Sequence, residues 1–267
     1  MTGKTCFLIN LHQKDKILLE LIQTSLKVGK ISKHGETSYA YRVSSLKELE
    51  TVIIHLDKYP LITQKLADYI LFKKAVMLIK EKEHLTKSGL HKLAAIKASL
   101  NLGLSETLKA AFPDVISASK PLIESTAIKD FNWLTGFIDA EGCFIVVVQK
   151  ASGSGAKTGF WVSLKFTISQ HSRDKALLES FVDYLGCGHY YPTSNRNEGC
   201  YTVSIFSDIH DKIIPILEQH PLVGSKRQDL ADFVKVANLI KSKDHLTPDG
   251  LVKIKLIKSG MNTGREL

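Results

Sequence analysis

Cysteine is sparse in this chain and poorly placed for either metal or cross-links. There are four, Cys6, Cys143, Cys187 and Cys200. None forms a Cys-x-x-Cys pair and no histidine pair completes a tetrahedral set, which argues against a structural zinc site. Nothing suggests a disulfide framework, so a reducing interior is the default setting. Long apolar runs are missing too. None reaches the roughly 18–20 residues that a bilayer crossing needs, and no membrane partner is expected. Residues 1–10 show neither the apolar core of a signal peptide nor an arginine-rich presequence. Acidic residues are the minority charge, 27 against 36 lysines and arginines, for a net charge of +9. A surplus of that sign points to an acidic partner, and nucleic acid is the usual one. The apolar share of 44% is that of an ordinary globular protein.

What the chain does have is an internal repeat. His12-Gln13-Lys14-Asp15-Lys16 returns as His171-Ser172-Arg173-Asp174-Lys175. Leu18-Leu19-Glu20 returns as Leu177-Leu178-Glu179, Gly29 as Gly188, and Tyr41-Arg42-Val43-Ser44 as Tyr201-Thr202-Val203-Ser204. Pro60-Leu61, Lys65 and Asp68 match Pro221-Leu222, Lys226 and Asp229; His84-Leu85-Thr86 matches His245-Leu246-Thr247; Asn101 and Gly103 match Asn262 and Gly264. At 267 residues the length allows two modest domains, each able to bury a core. The expected division is a first lobe over 1–111, a linker over 112–128 and a second lobe over 129–267.

Periodicity predicts the elements. Residues 1–12 read as a strand. Leu18, Leu21, Ile22 and Leu26 share a helical face over 15–26, with Gly29 after it. Residues 37–44 alternate as a strand. Ser45 with Glu48 is a capping box that opens a helix, and Pro60 breaks the chain after it. Helices are expected over 64–80 and 88–100, then over 132–140, with a strand over 143–149. Ala151–Ala156 reads as a flexible turn. Over 160–169, Phe160, Val162, Leu164, Phe166 and Ile168 point inward while Trp161, Ser163, Lys165, Thr167 and Ser169 point outward. Ser207 is expected to cap a helix that must kink or break near Pro215. Thr247-Pro248 is a helix start. The class is α+β. Helices cover the apolar face of each antiparallel sheet, and the polar, basic face stays open, a surface that suits the DNA major groove.

One segment carries chemistry: Leu134-Thr135-Gly136-Phe137-Ile138-Asp139-Ala140-Glu141-Gly142. Gly136 and Ala140 fall on one helical face, and side chains that small let a second backbone approach. Glu141 falls at the helix end, with Gly142 as C-cap. A carboxylate there opposes the macrodipole, Asp139 adds to the strain, and a divalent cation with oxygen ligands is the natural compensation. Two such carboxylates brought together would let two metal ions flank a phosphate.

That string resembles the motif of the LAGLIDADG homing endonucleases of the single-chain, two-repeat type encoded in organellar introns. Arg42-Val43-Ser44-Ser45-Leu46, Tyr59–Lys65 and Lys82-Glu83-His84-Leu85-Thr86 are similar to family segments in the same order. The resemblance implies two pseudo-symmetric αββαββα-like lobes. It also implies site-specific hydrolysis of double-stranded DNA at a long target, leaving staggered ends. Mg²⁺ or another divalent cation would be the cofactor, the state monomeric, and the location the mitochondrion or another organelle. Residue by residue, it implies that Glu141 binds metal beside the carbonyl of Ala140 and that Asp139 is the more structural acid. Lys65 and Lys226 match basic residues that border the active site and stabilise charge at the phosphate. Gln170 matches a position that helps place the attacking water; its first-copy counterpart is Leu11, so that role is absent there. Face alternation adds Arg42, Ser44, Trp161, Ser163, Lys165, Thr167, Thr202 and Ser204 as DNA contacts, although Trp161 could instead pack beneath the glycine-rich turn.

The motif occurs once in a chain that repeats. Its first-copy counterpart falls upstream of Met1, together with a first strand. The expectation is an internal methionine in a frame continuing from an upstream exon, and low activity for this stretch alone. Two other functions share the pattern: an RNA maturase acting on its host intron, and a non-catalytic relic. Intact Glu141, Lys65 and Lys226 favour the nuclease.

Overall fold

The computed structural model describes residues 5–123, 127–152, 155, 157–194 and 196–265. The chain divides into two compact units, residues 1–125 and 126–267. Parts of three sequence-derived segments, the strand over 1–12, the linker and the Ala151–Ala156 turn, lie outside the described residues.

The first unit runs β1 (Phe7–His12), α1 (Lys16–Leu26), β2 (Lys30–Lys33), β3 (Ser38–Val43), α2 (Leu46–Lys58), α3 (Lys65–Lys80), α4 (Lys87–Ser99) and α5 (Glu106–Ala111). Its sheet is antiparallel in the order β1-β3-β2. Leu19, Tyr41, Val43, Leu49, Val52 and Val76 form the core between helices and sheet. The second unit runs α6 (Phe131–Glu141), β4 (Gly142–Lys150), β5 (Phe160–His171), α7 (Lys175–Leu185), β6 (His189–Pro192), β7 (Glu198–Val203), α8 (Phe206–Asp208), a π segment over Ile209–Ile213, α9 (Ile214–Gln219), α10 (Lys226–Lys241) and α11 (Pro248–Ser259). Its sheet is β4-β5-β7-β6, also antiparallel. The class is α+β, with helices and sheets layered as the alternating strand patterns require.

The repeat holds at the level of atoms. His12 and His171 each end their strand by accepting, at Nδ1, the N–H two residues on, at 3.3 and 3.2 Å. Tyr41 donates its hydroxyl to the Val28 carbonyl at 2.9 Å, and Tyr201 to that of Cys187 at 2.7 Å. The next residues are Gly29 and Gly188, with φ of 79° and 78°. A β-carbon on either would lie 2.7 Å from the facing tyrosine ring, so sterics and backbone both demand glycine. Thr86 and Thr247 cap α4 and α11 by accepting the N–H of Gly89 and Gly250 at 3.0 and 3.1 Å. Ser45 caps α2 through the Glu48 N–H.

The expectation at Ser207 needs correction. The residue before the helix is Ile205, which makes no side-chain cap, and Ser207 lies inside the first turn. The strain expected from Pro215 is absorbed upstream. The helix widens to π over Ile209–Ile213, and Pro215 enters the first turn of α9, where a missing N–H costs little. The four-residue strands β2 and β6 and the helix α5 lie where the sequence showed no clear period.

Candidate active site

Helix α6 starts at Asp130, whose carboxylate accepts the Trp133 N–H at 2.9 Å. Leu134, Thr135 and Ile138 are buried, and Phe137 packs on Phe181 of α7 with ring centroids 6.0 Å apart. These anchors fix how α6 delivers its last turn. Gly142 follows in extended conformation (φ −72°, ψ 152°), not in the left-handed region. It must be glycine because a β-carbon would meet the Ile138 carbonyl oxygen at 2.7 Å. Gly136 is exposed, and a β-carbon there would meet nothing within 4 Å, so no contact within the described residues explains its size.

The two acids of the last turn have opposite surroundings. Asp139 Oδ2 accepts the backbone N–H of Val223 at 2.8 Å and of Gly224 at 3.0 Å. These residues lead into α10, so Asp139 ties the end of one helix to the start of another. Its Oδ1 is buried without a hydrogen-bond partner. Glu141 is exposed and has no partner among the described residues. Lys226, the first residue of α10, reaches back: its Nζ donates to the carbonyls of Asp139 at 2.9 Å and Ala140 at 2.8 Å. The compensation expected at this helix end therefore comes, at the carbonyls, from a lysine ammonium.

Lys65 does something different. Its ammonium is 56% exposed and pairs with Asp68 at 3.1 Å, which also holds Lys120 at 2.6 Å. Burial raises the Asp68 carboxyl, but the two ammoniums outweigh it and hold it below the usual carboxylate range. Asp229, the counterpart of Asp68, instead takes Arg265 at 2.8 Å and the N–H of Asn262 at 2.9 Å. The Asn262 amide in turn donates to the Phe144 carbonyl of β4 at 3.0 Å. This brace of Asp229, Arg265 and Asn262 was not anticipated. The signal available was the recurrence of Asp68 as Asp229 and Asn101 as Asn262.

Gly142 pairs with Ile168 in the sheet register, so β5 carries Gln170 to the same end at which α6 delivers Glu141. Gln170 is half-buried and accepts only the neighbouring His171 N–H, at 3.4 Å. On the open faces Arg42, Ser44, Ser163 and Ser204 are exposed and Lys165 is half-exposed. Trp161 is 56% exposed, with Gly155 of the glycine-rich turn beside its indole. Thr167 and Thr202 correct the expectation of free outward side chains. They pair across β5 and β7 at 6% and 7% exposure, their short side chains sunk among neighbours at the sheet centre.

The donors at the end of α6 are oxygens: the Glu141 carboxylate and main-chain carbonyls. Hard cations such as Mg²⁺ or Ca²⁺ fit that set; ions that seek thiolate or imidazole do not. The nearby Cys143 thiol is pushed up by burial, against the pull of Lys226, and is no thiolate donor. Among the described residues there is no group of three or more His, Cys, Asp or Glu able to hold a metal.

The sequence profile of a family described as LAGLIDADG endonuclease matches residues 3–76 and 134–237. The Neurospora crassa protein named probable intron-encoded endonuclease 3 is 38% identical over 254 residues, 94% of this chain and 47% of that protein. The chain spans about half the length of the curated relatives it matches. The crystal structure of the I-SmaMI LAGLIDADG homing endonuclease bound to cleaved DNA superposes with a TM-score of 0.94 and 43% identity, covering 98% of this chain and 87% of that one. I-SmaMI bound to uncleaved target in the presence of calcium ions gives 0.92 and 43%, covering 96% and 87%.

Proposed function

This chain belongs to the LAGLIDADG endonuclease family, and on that premise we propose that it acts in site-specific hydrolysis of double-stranded DNA with Mg²⁺ or another divalent cation. The observation that carries the reading is the last turn of α6, where one acid is consumed by the fold and the other is left open beside a lysine. Glu141 and the Ala140 carbonyl would hold the cation, which when bound supplies an acidified water and a charge for the leaving oxygen. Asp139 fixes the turn against α10. Lys226 places positive charge where a phosphate would come, and Lys65 holds the matching place in the first unit. Gln170 would orient the attacking water from the strand end.

Arg42, Ser44, Trp161, Ser163, Lys165 and Ser204 would contact DNA, while Thr167 and Thr202 support the sheet beneath them. The functional division we propose is a lobe over 1–111, a linker over 112–128 and a lobe over 129–267, working as a monomer. The DNA-bound state of I-SmaMI supports DNA as partner, and relatives named for an ND4 intron and a cox1 intron support a mitochondrial setting.

The test is incubation of the purified chain and its Glu141→Gln variant with Mg²⁺ and DNA spanning intron-free exon junctions. Specific binding by both proteins, with strand cleavage only by the unaltered one, is the expected result. Equal cleavage by the variant sinks the reading. So does binding to intron RNA with no affinity for junction DNA, which would mark a maturase.

A further inference from the structure

Strand β4 breaks a rule that its neighbour β5 keeps. Phe144 and Val146 face inward and are buried at 1% and 2% exposure. The register sets them opposite Phe166 and Leu164. The alternate residues Cys143, Ile145, Val147 and Gln149 therefore share the open face with Thr167, Lys165, Ser163 and Trp161. Along that face β5 is polar or aromatic. On β4, Ile145 and Val147 are branched hydrocarbons, partly exposed, where a solvated sheet carries polar groups.

Strand formation does not require those two side chains. Threonine suits a strand equally well, and the same face uses it in the cross-strand pair Thr167 and Thr202. β4 is also the edge of its sheet, paired only with β5. Exposed edges are commonly blunted with charge, because an apolar edge invites aggregation. The hydrocarbons at 145 and 147 carry that liability and add nothing to the core, which lies on the other face.

Their neighbours restrict what can cover them. Cys143 is engaged within the unit, its thiol donating to the Asn262 side chain at 3.7 Å, so the free strip begins at Ile145. Lys165 stands directly across from Ile145, and Ser163 from Val147. A covering group must offer methyls beside hydrogen-bond acceptors; a purely apolar surface would bury the Lys165 ammonium unpaired. Base edges in the DNA major groove meet both demands. Thymine carries a C5 methyl beside its O4, and guanine N7 and O6 accept from lysine. The spacing agrees as well. Outward side chains recur about 6.7 Å apart along a strand, twice the rise of about 3.4 Å per base pair.

We infer that β4 selects thymine by its methyl group: Ile145 and Val147 each seat one C5 methyl, at two positions about two base pairs apart, while Lys165 donates to acceptors beside them. The inference rests on the DNA-binding role proposed above and deepens it. It names a base that the second unit selects and the chemical group by which it does so. Neither residue is a hydrogen-bonding type, which is why a search for polar outward positions passes over them.

The probe is a pool of duplexes with a randomised centre, selected on the whole chain with Ca²⁺ in place of Mg²⁺ to limit cutting. The preferred duplex is then resynthesised with uracil replacing thymine one position at a time, and binding is read by fluorescence anisotropy. Uracil keeps the base pair and its acceptors and removes only the methyl. Two thymines about two base pairs apart should each lose about fourfold in affinity on replacement, and about fifteenfold together, the effect of a methyl withdrawn from apolar contact. Ile145→Ser should lose the discrimination at one of those positions and keep it at the other, and Val147→Ser the reverse, a pattern that poor folding does not produce. A preferred duplex without thymines at that spacing, one indifferent to uracil, or variants that discriminate as the unaltered chain does overturns the inference and leaves the nuclease reading standing. A pool that yields no preferred duplex overturns the nuclease reading and this inference with it.

Discussion

Asp139 and Glu141 are two residues apart and have nothing else in common. Asp139→Asn weakens two charge-assisted bonds to the backbone and should cost about 1–3 kcal/mol, whereas Glu141→Gln at an exposed position should stay within about 0.5 kcal/mol. Urea unfolding of both variants checks the contrast. The identity of the acids was legible in the sequence. The partners of Asp139 were not, because they are main-chain groups 84 and 85 residues away that carry no residue-type signal. Thr167 and Thr202 show a second limit: alternation reports which face a side chain is on, not how deep its neighbours leave it. Acid sensitivity also belongs to this scale. Burial raises Asp68 and Asp232, but their lysine and arginine partners prevail and depress both. A depressed carboxyl stabilises the fold fully above its unfolded value of about 3.9, and that contribution is lost as pH falls from there through the folded value. Urea midpoints measured from pH 7 to pH 3 should therefore converge for the unaltered chain and Asp68→Asn as the medium becomes acidic.

Elements were legible where period and caps agreed. Helices α1 to α4 and α6, and strands β3, β4 and β5, have strong alternation or a named cap, and each was anticipated to within a few residues. Strands β2 and β6 were not, since four residues, mostly exposed, give too few alternations to count. The turns that precede β2 and β6 were legible only as a recurring glycine. The structure explains the recurrence, because each glycine backs onto a tyrosine that bonds the preceding carbonyl. Gly29→Ala and Gly188→Ala should each destabilise their unit by about 2 kcal/mol or more, adding left-handed strain to a collision. If thermal unfolding shows either variant unchanged, that explanation is wrong. The π segment before Pro215 was foreseen only as trouble near a proline; that the helix would widen upstream depends on Ile209 and Ile213 staying buried, which is a tertiary fact.

For the molecule as a whole, the repeat was the clearest thing in the sequence, since caps, turns and apolar positions recur together. The edge position of β1 was legible through the same repeat, because the stretch that would match β4 has no counterpart in the first copy. Net charge acts at this scale as well. If about six to ten phosphates are neutralised on binding, DNA affinity should fall about 10³–10⁵-fold between 50 and 200 mM salt. A nearly flat salt titration would remove the basic faces from the account.

The separation of the two acids in the last turn of α6 has a consequence for how such genes age. A lineage that mutates position 141 keeps every backbone contact made from position 139, so its product still folds. On the proposed role of Glu141, loss of cutting would then be silent to any selection that acts on folding alone, and the sequence could drift past it with little trace in stability.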